Sequence, residues 1–262
     1  MRADLFLFAN GYAPSRQQAK LLIGEGAVTC NGKTVAKASE EIPEGGNVAV
    51  RERSPYVGRG GFKLKAALEA FGIDVAGISA LDIGASTGGF TDCLLQNGAA
   101  RVCAVDAGAG QLAAKLRDDP RVASLEHCNA RYLTADAVGG RVPLIVMDVS
   151  FISATYIIPR FPELLAPEGG AVCLIKPQFE VGRAWVGKGG IVRDPQARRA
   201  AVDRVLAAGR AAGLHPVGLI PSPIAGGDGN REFLVYFRMA GDMPEVEESR
   251  VSAAVGRGKG DR

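Results

Sequence analysis

Apolar positions along this chain follow two regimes. Up to residue 50 they come in short bursts. Residues 5–11 predict a helix closed by glycine, and Pro14-Ser15 opens a second helix with Ala19, Leu22 and Ile23 on its apolar face, stopped at Gly24-Glu25-Gly26. Short strands follow at 27–30 and 33–35, joined by the hairpin signal Asn31-Gly32, and a third lies at 47–50 after a turn at 43–46. From residue 62 the pattern becomes an alternation of helices with continuous apolar runs. A helix at 62–71 precedes strands at 78–83, 101–106, 122–126, 144–149 and 171–176, and a helix at 195–212 precedes an antiparallel pair at 216–220 and 232–238. That order predicts an α/β fold with a mostly parallel seven-stranded sheet, helices on both faces, and a small N-terminal α+β domain. The expected divisions are a first domain at 1–52, a Gly/Pro-rich linker at 53–61, the α/β domain at 62–242, and a charged, Gly-rich, disordered tail at 243–262.

Composition narrows the class. With 262 residues, 47% of them hydrophobic, the chain can bury one large core and one small one. The formal net charge is only +3, but its placement is uneven: Arg2, Arg16, Lys20, Lys33 and Lys37 crowd the start, and Arg51, Arg53, Arg59, Lys63 and Lys65 follow. A polyanionic partner on the N-terminal side is implied. The five cysteines contain no Cys-x-x-Cys pair and read as buried free thiols of a reducing cytoplasm. Only His127 and His215 are present, so a His-rich zinc site or a Ser-His-Asp triad has almost no raw material. No apolar run approaches the roughly 18 residues of a membrane span, and Asp4 beside Leu5-Phe6-Leu7-Phe8 fits no signal peptide. A soluble, cytoplasmic protein is expected.

The densest chemistry lies in Ala80-Leu81-Asp82-Ile83-Gly84-Ala85-Ser86-Thr87-Gly88-Gly89-Phe90. An apolar strand runs into small residues whose backbone can approach a ligand closely, and a helix follows at 88–96. The next strand ends in Asp106, about twenty residues on, where a carboxylate accepts both ribose hydroxyls of a nucleoside. That pairing suits NAD as well as S-adenosylmethionine (SAM). Asp82, Ser86 and Thr87 stand where a pyrophosphate would need glycines, and an acid there suits the cationic methionine end of SAM. SAM is therefore the expected cofactor, with Asp82, Gly84, Ala85, Ser86, Thr87, Gly88, Gly89, Phe90 and Asp106 around it and Asn129, Ala130 and Arg131 at the adenine side; Asn129 serves equally well as a helix cap. Asp148 and Lys176 end the fourth and fifth strands, at the sheet edge where such folds bind ligands, Glu232 opens the last strand and Lys63 begins the first helix of the domain.

Two resemblances add to this. The stretch from Ser15-Arg16-Gln17-Gln18-Ala19-Lys20 to Ile23-Gly24-Glu25-Gly26-Ala27-Val28-Thr29-Cys30-Asn31-Gly32 resembles the S4 RNA-binding fold. Arg16 and Lys20 sit four apart on one helix face and could follow a phosphate backbone, with Arg2, Lys33 and Arg59 as further RNA contacts. Lys63, Asp148, Lys176 and Glu232, in the contexts Gly60-Gly61-Phe62-Lys63, Met147-Asp148-Val149-Ser150-Phe151, Leu174-Ile175-Lys176-Pro177 and Asn230-Arg231-Glu232-Phe233, resemble the Lys-Asp-Lys-Glu tetrad of FtsJ-type RNA ribose 2′-O-methyltransferases. With Gly187-Lys188-Gly189-Gly190-Ile191-Val192-Arg193-Asp194 and Cys128-Asn129-Ala130-Arg131, the chain up to its tail is similar to the TlyA family, which carries both haemolysin and ribosomal RNA methyltransferase labels. The resemblance implies a Rossmann-like SAM-dependent methyltransferase that methylates cytidine 2′-hydroxyls in 23S rRNA and, in some members, 16S rRNA. Its partners would be ribosomal RNA or ribosomal subunits, not DNA.

In that chemistry Lys176 takes the 2′-hydroxyl proton or positions the hydroxyl, and Asp148 and Glu232 orient Lys176 and Lys63. Tyr56 reads as a packing anchor between domains and Trp185 as a pin for its loop. Three alternatives stay open on sequence: amino methylation of a base, for which Asp148-Val149-Ser150-Phe151 lacks the prolines; a non-catalytic RNA-binding or ribosome-assembly protein; and a membrane-active haemolysin.

Overall fold

The computed structural model describes residues 1–24, 26–50, 54–239 and 244–256. It divides into two compact units, Met1–Pro55 and the chain from Tyr56 onward. The expected boundary after residue 52, and Glu25 of the helix stop, lie outside the described residues.

In the first unit, α1 (Ala3–Ala9) and α2 (Arg16–Gly24) accompany β1 (Val28–Cys30), β2 (Lys33–Thr34) and β3 (Val48–Val50), which form an antiparallel sheet in the order β2-β1-β3. The hairpin turn puts both Asn31 (φ 50°) and Gly32 (φ 77°) in the left-handed region, as a two-residue type I′ turn requires. Leu7, Ala19, Leu22, Ile23, Val28 and Val48 close a small core.

The second unit runs α3 (Gly60–Phe71), β4 (Ser79–Ile83), α4 (Gly89–Gln96), β5 (Arg101–Val105), α5 (Ala114–Arg117), β6 (Val122–Leu125), β7 (Val142–Met147), α6 (Phe161–Leu164), β8 (Leu165–Ile175), α7 (Pro177–Glu180), α8 (Pro195–Ala211), β9 (His215–Pro221), β10 (Phe233–Arg238) and α9 (Glu248–Val255). Its seven-stranded sheet has the order β6-β5-β4-β7-β8-β10-β9. The strands from β6 to β8 pair in parallel, and β10 is antiparallel to both β8 and β9. Strand alternation sorts the apolar side chains onto two faces. Leu81, Ile83, Ile145 and Met147 share a core with Val202 and Val205 of α8, whereas Ala80, Leu144 and Val146 share the other with Leu64 of α3 and Leu94 of α4. Because β10 runs backwards, its first residue pairs with Ile175, so the start of β10 and the ends of β4, β7 and β8 meet at one edge.

Two expectations are corrected. Residues 56–61 are not a free linker: Val57 N–H donates to Asp92 Oδ2 at 2.8 Å, and Tyr56 packs edge-on to Phe62, with ring centroids 5.3 Å apart. Gly61 has to be glycine because a Cβ would fall 2.2 Å from the Tyr56 ring. Nor is the region after residue 243 all tail. α9 buries Val251, Ala254 and Val255 in the α8-side core, and Arg199 of α8 donates to Glu248 at 2.7 Å. The i, i+3, i+4 spacing of those apolar residues is the sign that the charged composition hid. Residues 257–262 lie outside the described residues. Among the described residues no helix is long and apolar enough to cross a membrane, and no His/Cys/Asp/Glu cluster could hold a metal ion.

Candidate active site

The loop after β4 turns under tight backbone constraints. Gly84 has φ 83°, and a Cβ there would sit 2.5 Å from the Asp148 carbonyl oxygen; Gly88 has φ 95°, with Leu116 beneath it at 2.2 Å from such a Cβ. Ser86 is held at φ 48° although it is not glycine, and its N–H donates to Asp106 Oδ2 at 2.8 Å. Gly108 N–H donates to the other oxygen at 2.7 Å, so the Asp106 carboxylate is fixed at the end of β5.

This loop walls a two-part cleft at the carboxyl edge of the sheet. The larger part, about 490 Å³, lies among Gly84, Ser86, Asp106, Asn129, Ala130 and Arg131 and reaches Asp148 and Phe151. The smaller, about 240 Å³, is bounded by Gly58, Arg59, Gly60, Ala85, Thr87, Gly89, Phe90 and Lys176. Gly84, Ser86, Asp148 and Ser150 line both parts. Asn129 does cap the turn that follows, its side-chain carbonyl accepting the Arg131 N–H at 3.2 Å, while remaining on the cleft wall.

Asp82 stands elsewhere. It shares the Ala80 face of β4, is completely buried, and accepts the Thr91 hydroxyl of α4 at 2.6 Å. Burial raises its carboxyl to about 7, the Thr91 hydrogen bond opposing that shift. The expected contact with a cationic ligand is therefore corrected: Asp82 lines neither part of the cleft and ties β4 to α4 through Thr91.

The four tetrad residues form two ion pairs. Lys63 Nζ of α3 donates to Glu232 Oε2 at 2.5 Å, with Lys63 7% and Glu232 3% exposed. Lys176 Nζ, at the end of β8, lies 2.5 Å from Asp148 Oδ1 and donates to Ser150 Oγ at 2.7 Å. Burial raises the Glu232 carboxyl; Lys63 first, and then Lys176, pull it back, while Asp148 adds to the rise. Both lysines thus act on one carboxylate. Gly226 completes the approach, since a Cβ there would fall 2.5 Å from Glu232 Oε1.

The basic residues expected to meet RNA separate. Lys20 and Lys33 are exposed in the first unit. Arg2 and Arg16 instead converge on the buried Asp4, with Arg2 Nε at 3.1 Å and Arg16 Nη2 at 2.9 Å, so α2 presents Arg16 as part of a fixed triad. Arg59 lies in the second unit on the cleft wall and donates to the Ala225 carbonyl at 2.7 Å. Sequence inspection missed Ser150 as a partner of Lys176 and Phe151 as a 91% exposed aromatic at the cleft mouth, although both stand inside the quoted Asp148 motif. It also missed Asp4, whose only sign is an acid in an apolar first helix.

Comparison with known proteins agrees with this anatomy. Residues 56–239 match the family model of FtsJ-like methyltransferases and residues 1–48 that of the S4 domain. The chain is 47% identical over 244 residues to the 16S/23S rRNA (cytidine-2′-O)-methyltransferase TlyA of Mycobacterium tuberculosis, covering 92% of this chain and 91% of that one. It is 43% identical to Hemolysin A of Brachyspira hyodysenteriae, covering 90% and 99% of the two chains. A solved hemolysin-named structure from Streptococcus thermophilus superimposes with a TM-score of 0.75 at 40% identity, over 97% of this chain and 94% of that one.

Proposed function

This chain belongs to the FtsJ-like methyltransferase family, in its S4-bearing TlyA group, and we propose that it transfers a methyl group from SAM to the 2′-hydroxyl of cytidine in ribosomal RNA. The observation that carries the proposal is the Lys176–Asp148 pair on the wall of a nucleoside-sized cleft, backed by the buried Lys63–Glu232 pair, which lies behind the lining and acts with it on one carboxylate.

The cleft fits SAM in its donor set. Asp106 keeps lone pairs for ribose hydroxyls after accepting two backbone N–H groups, and Asn129, Ala130 and Arg131 stand on the same wall for the adenine. The glycines at 58, 60 and 89 leave backbone bare along the smaller part, toward Lys176, for the amino-acid end. When bound there, SAM supplies an electrophilic methyl carried by a sulfonium. Lys176, pinned by Asp148 and Ser150, would then hold the incoming 2′-hydroxyl in line and stabilise the oxyanion that develops as the hydroxyl proton passes to water. Lys63 and Glu232 keep a second buried pair close to the first, and the Glu232 carboxylate feels both lysines. Phe151, almost wholly exposed, offers a ring on which the target base can stack. Exposed Lys20 and Lys33, with the Arg2–Asp4–Arg16 triad, supply phosphate contacts in the S4-like unit.

Lys176→Ala tests the assignment. Methyl transfer to ribosomal subunits should fall by at least about 100-fold while SAM affinity, measured by calorimetry, stays within about 3-fold. Retained turnover contradicts it.

A further inference from the structure

The segments that leave β7 and β8 are joined a second time, away from the cleft. After β7 the chain runs Asp148-Val149-Ser150-Phe151-Ile152-Ser153, with Phe151 at φ 63°, a costly value for a bulky residue. After β8 it turns at Lys176 into α7, whose last residue is Glu180. Glu180 is 3% exposed; its Oε2 accepts the Ser153 hydroxyl at 2.5 Å and its Oε1 accepts the Ala154 N–H at 2.8 Å. Phe179 meets the Phe151 ring, centroids 5.3 Å apart, and Arg204 of α8 donates to the Glu180 carbonyl at 2.9 Å. Burial pushes the Glu180 carboxyl up, while the Ser153 hydroxyl, the Ala154 amide and the Arg204 charge pull it down.

We propose that Glu180 is a positioning residue for methyl transfer, clamping Ser153 and Ala154 so that the strained loop keeps Asp148 and Ser150 on Lys176 Nζ. The proposal rests on the methyltransferase reading of the cleft. A carboxyl group is expensive to bury, and an apolar side chain would fill the same space without that cost. What it adds is two acceptor oxygens that take a hydroxyl and an adjacent amide from one loop. Every contact of Lys176 Nζ described above comes from that loop, and loss of the clamp releases it at the reacting atoms. Glu180 lines neither part of the cleft, so its effect reaches chemistry through the elements it joins, the loop after β7 and the one-turn α7 that begins after Lys176.

The test is kinetic, using the full chain, tritiated SAM and ribosomal subunits. Glu180→Ala should lower kcat about 10- to 100-fold, the scale of a misplacement near 1 Å, with SAM affinity within about 3-fold of wild type. Glu180→Gln retains a carbonyl for the Ala154 amide and an NH2 group for Ser153 Oγ, and should recover kcat to within about 3-fold. Ser153→Ala removes one of the two donors and should lower kcat by an intermediate factor; it carries the test if Glu180→Ala does not fold. Unchanged kcat in the Ala variants overturns the proposal, as does a fall in kcat matched by an equal loss of SAM affinity. An active wild type with indifferent Glu180 and Ser153 variants overturns this proposal alone. A wild type that methylates no ribosomal RNA overturns the assigned substrate and this proposal with it.

Discussion

The two units bury acids under opposite terms. In the first, Asp4 is inaccessible but accepts from two guanidinium groups, which hold its carboxyl well below the usual range, at about 2. In the second, Asp82 is equally inaccessible with one hydroxyl on it, and burial lifts its carboxyl to about 7. Burial alone does not decide whether an acid is charged; the number and charge of its donors do. Asp4 organises arginines that remain half in solvent, where planar forks can grip phosphate. Asp148 and Glu232 hold lysines that are almost out of solvent, where a compact charge can address one reacting oxygen.

The sharpest way to break this contrast is to remove one partner of the most buried pair. Lys63→Ala strands Glu232 and should cost about 3–5 kcal/mol in chemical denaturation, whereas the double variant Lys63→Met/Glu232→Leu should recover most of that stability while staying inactive. Equal stabilities of the single and double variants would mean that the pair carries no such coupling.

The pH dependences should have opposite signs in the two units. Asp82 binds its proton more tightly folded than unfolded, so its contribution falls as pH rises from about 4 to about 7. Asp82→Asn should flatten the decline of the second unit's melting temperature over that window. Asp4 binds its proton less tightly when folded, so its stabilisation is present above about 4 and is lost as pH falls toward about 2. Asp4→Asn should make the first unit's melting insensitive across that lower window, and this is the smallest of the effects because solvent screens the arginines. Parallel slopes in both variants would erase the distinction.

Much of this was legible in the chain. The Asn31-Gly32 hairpin and the seven strands follow from turn chemistry and apolar runs, which are local signals, and Asp148 and Lys176 stand at strand ends, whereas the grouping of these two with Lys63 and Glu232 came from the family resemblance alone. What was not legible depends on direction or on distant packing. The period-2 alternation of β4 already places Asp82 with Ala80 under α4, away from the cleft, but a motif read as a string suppresses that fact. Arg59 reads as another cation in a basic run, and only the fold of residues 56–61 against α4 brings it to the cleft. Glu180 gives no local sign at all, because its partners lie 26 and 27 positions away in the chain.

Everything above turns on whether the cleft methylates a ribose hydroxyl of ribosomal RNA. Labelled SAM and the purified chain, incubated with each ribosomal subunit, followed by nuclease digestion and mass analysis, test it most directly. A single added methyl on the ribose of a cytidine is the expected product. A methyl on a base, or no transfer to either subunit, would contradict it.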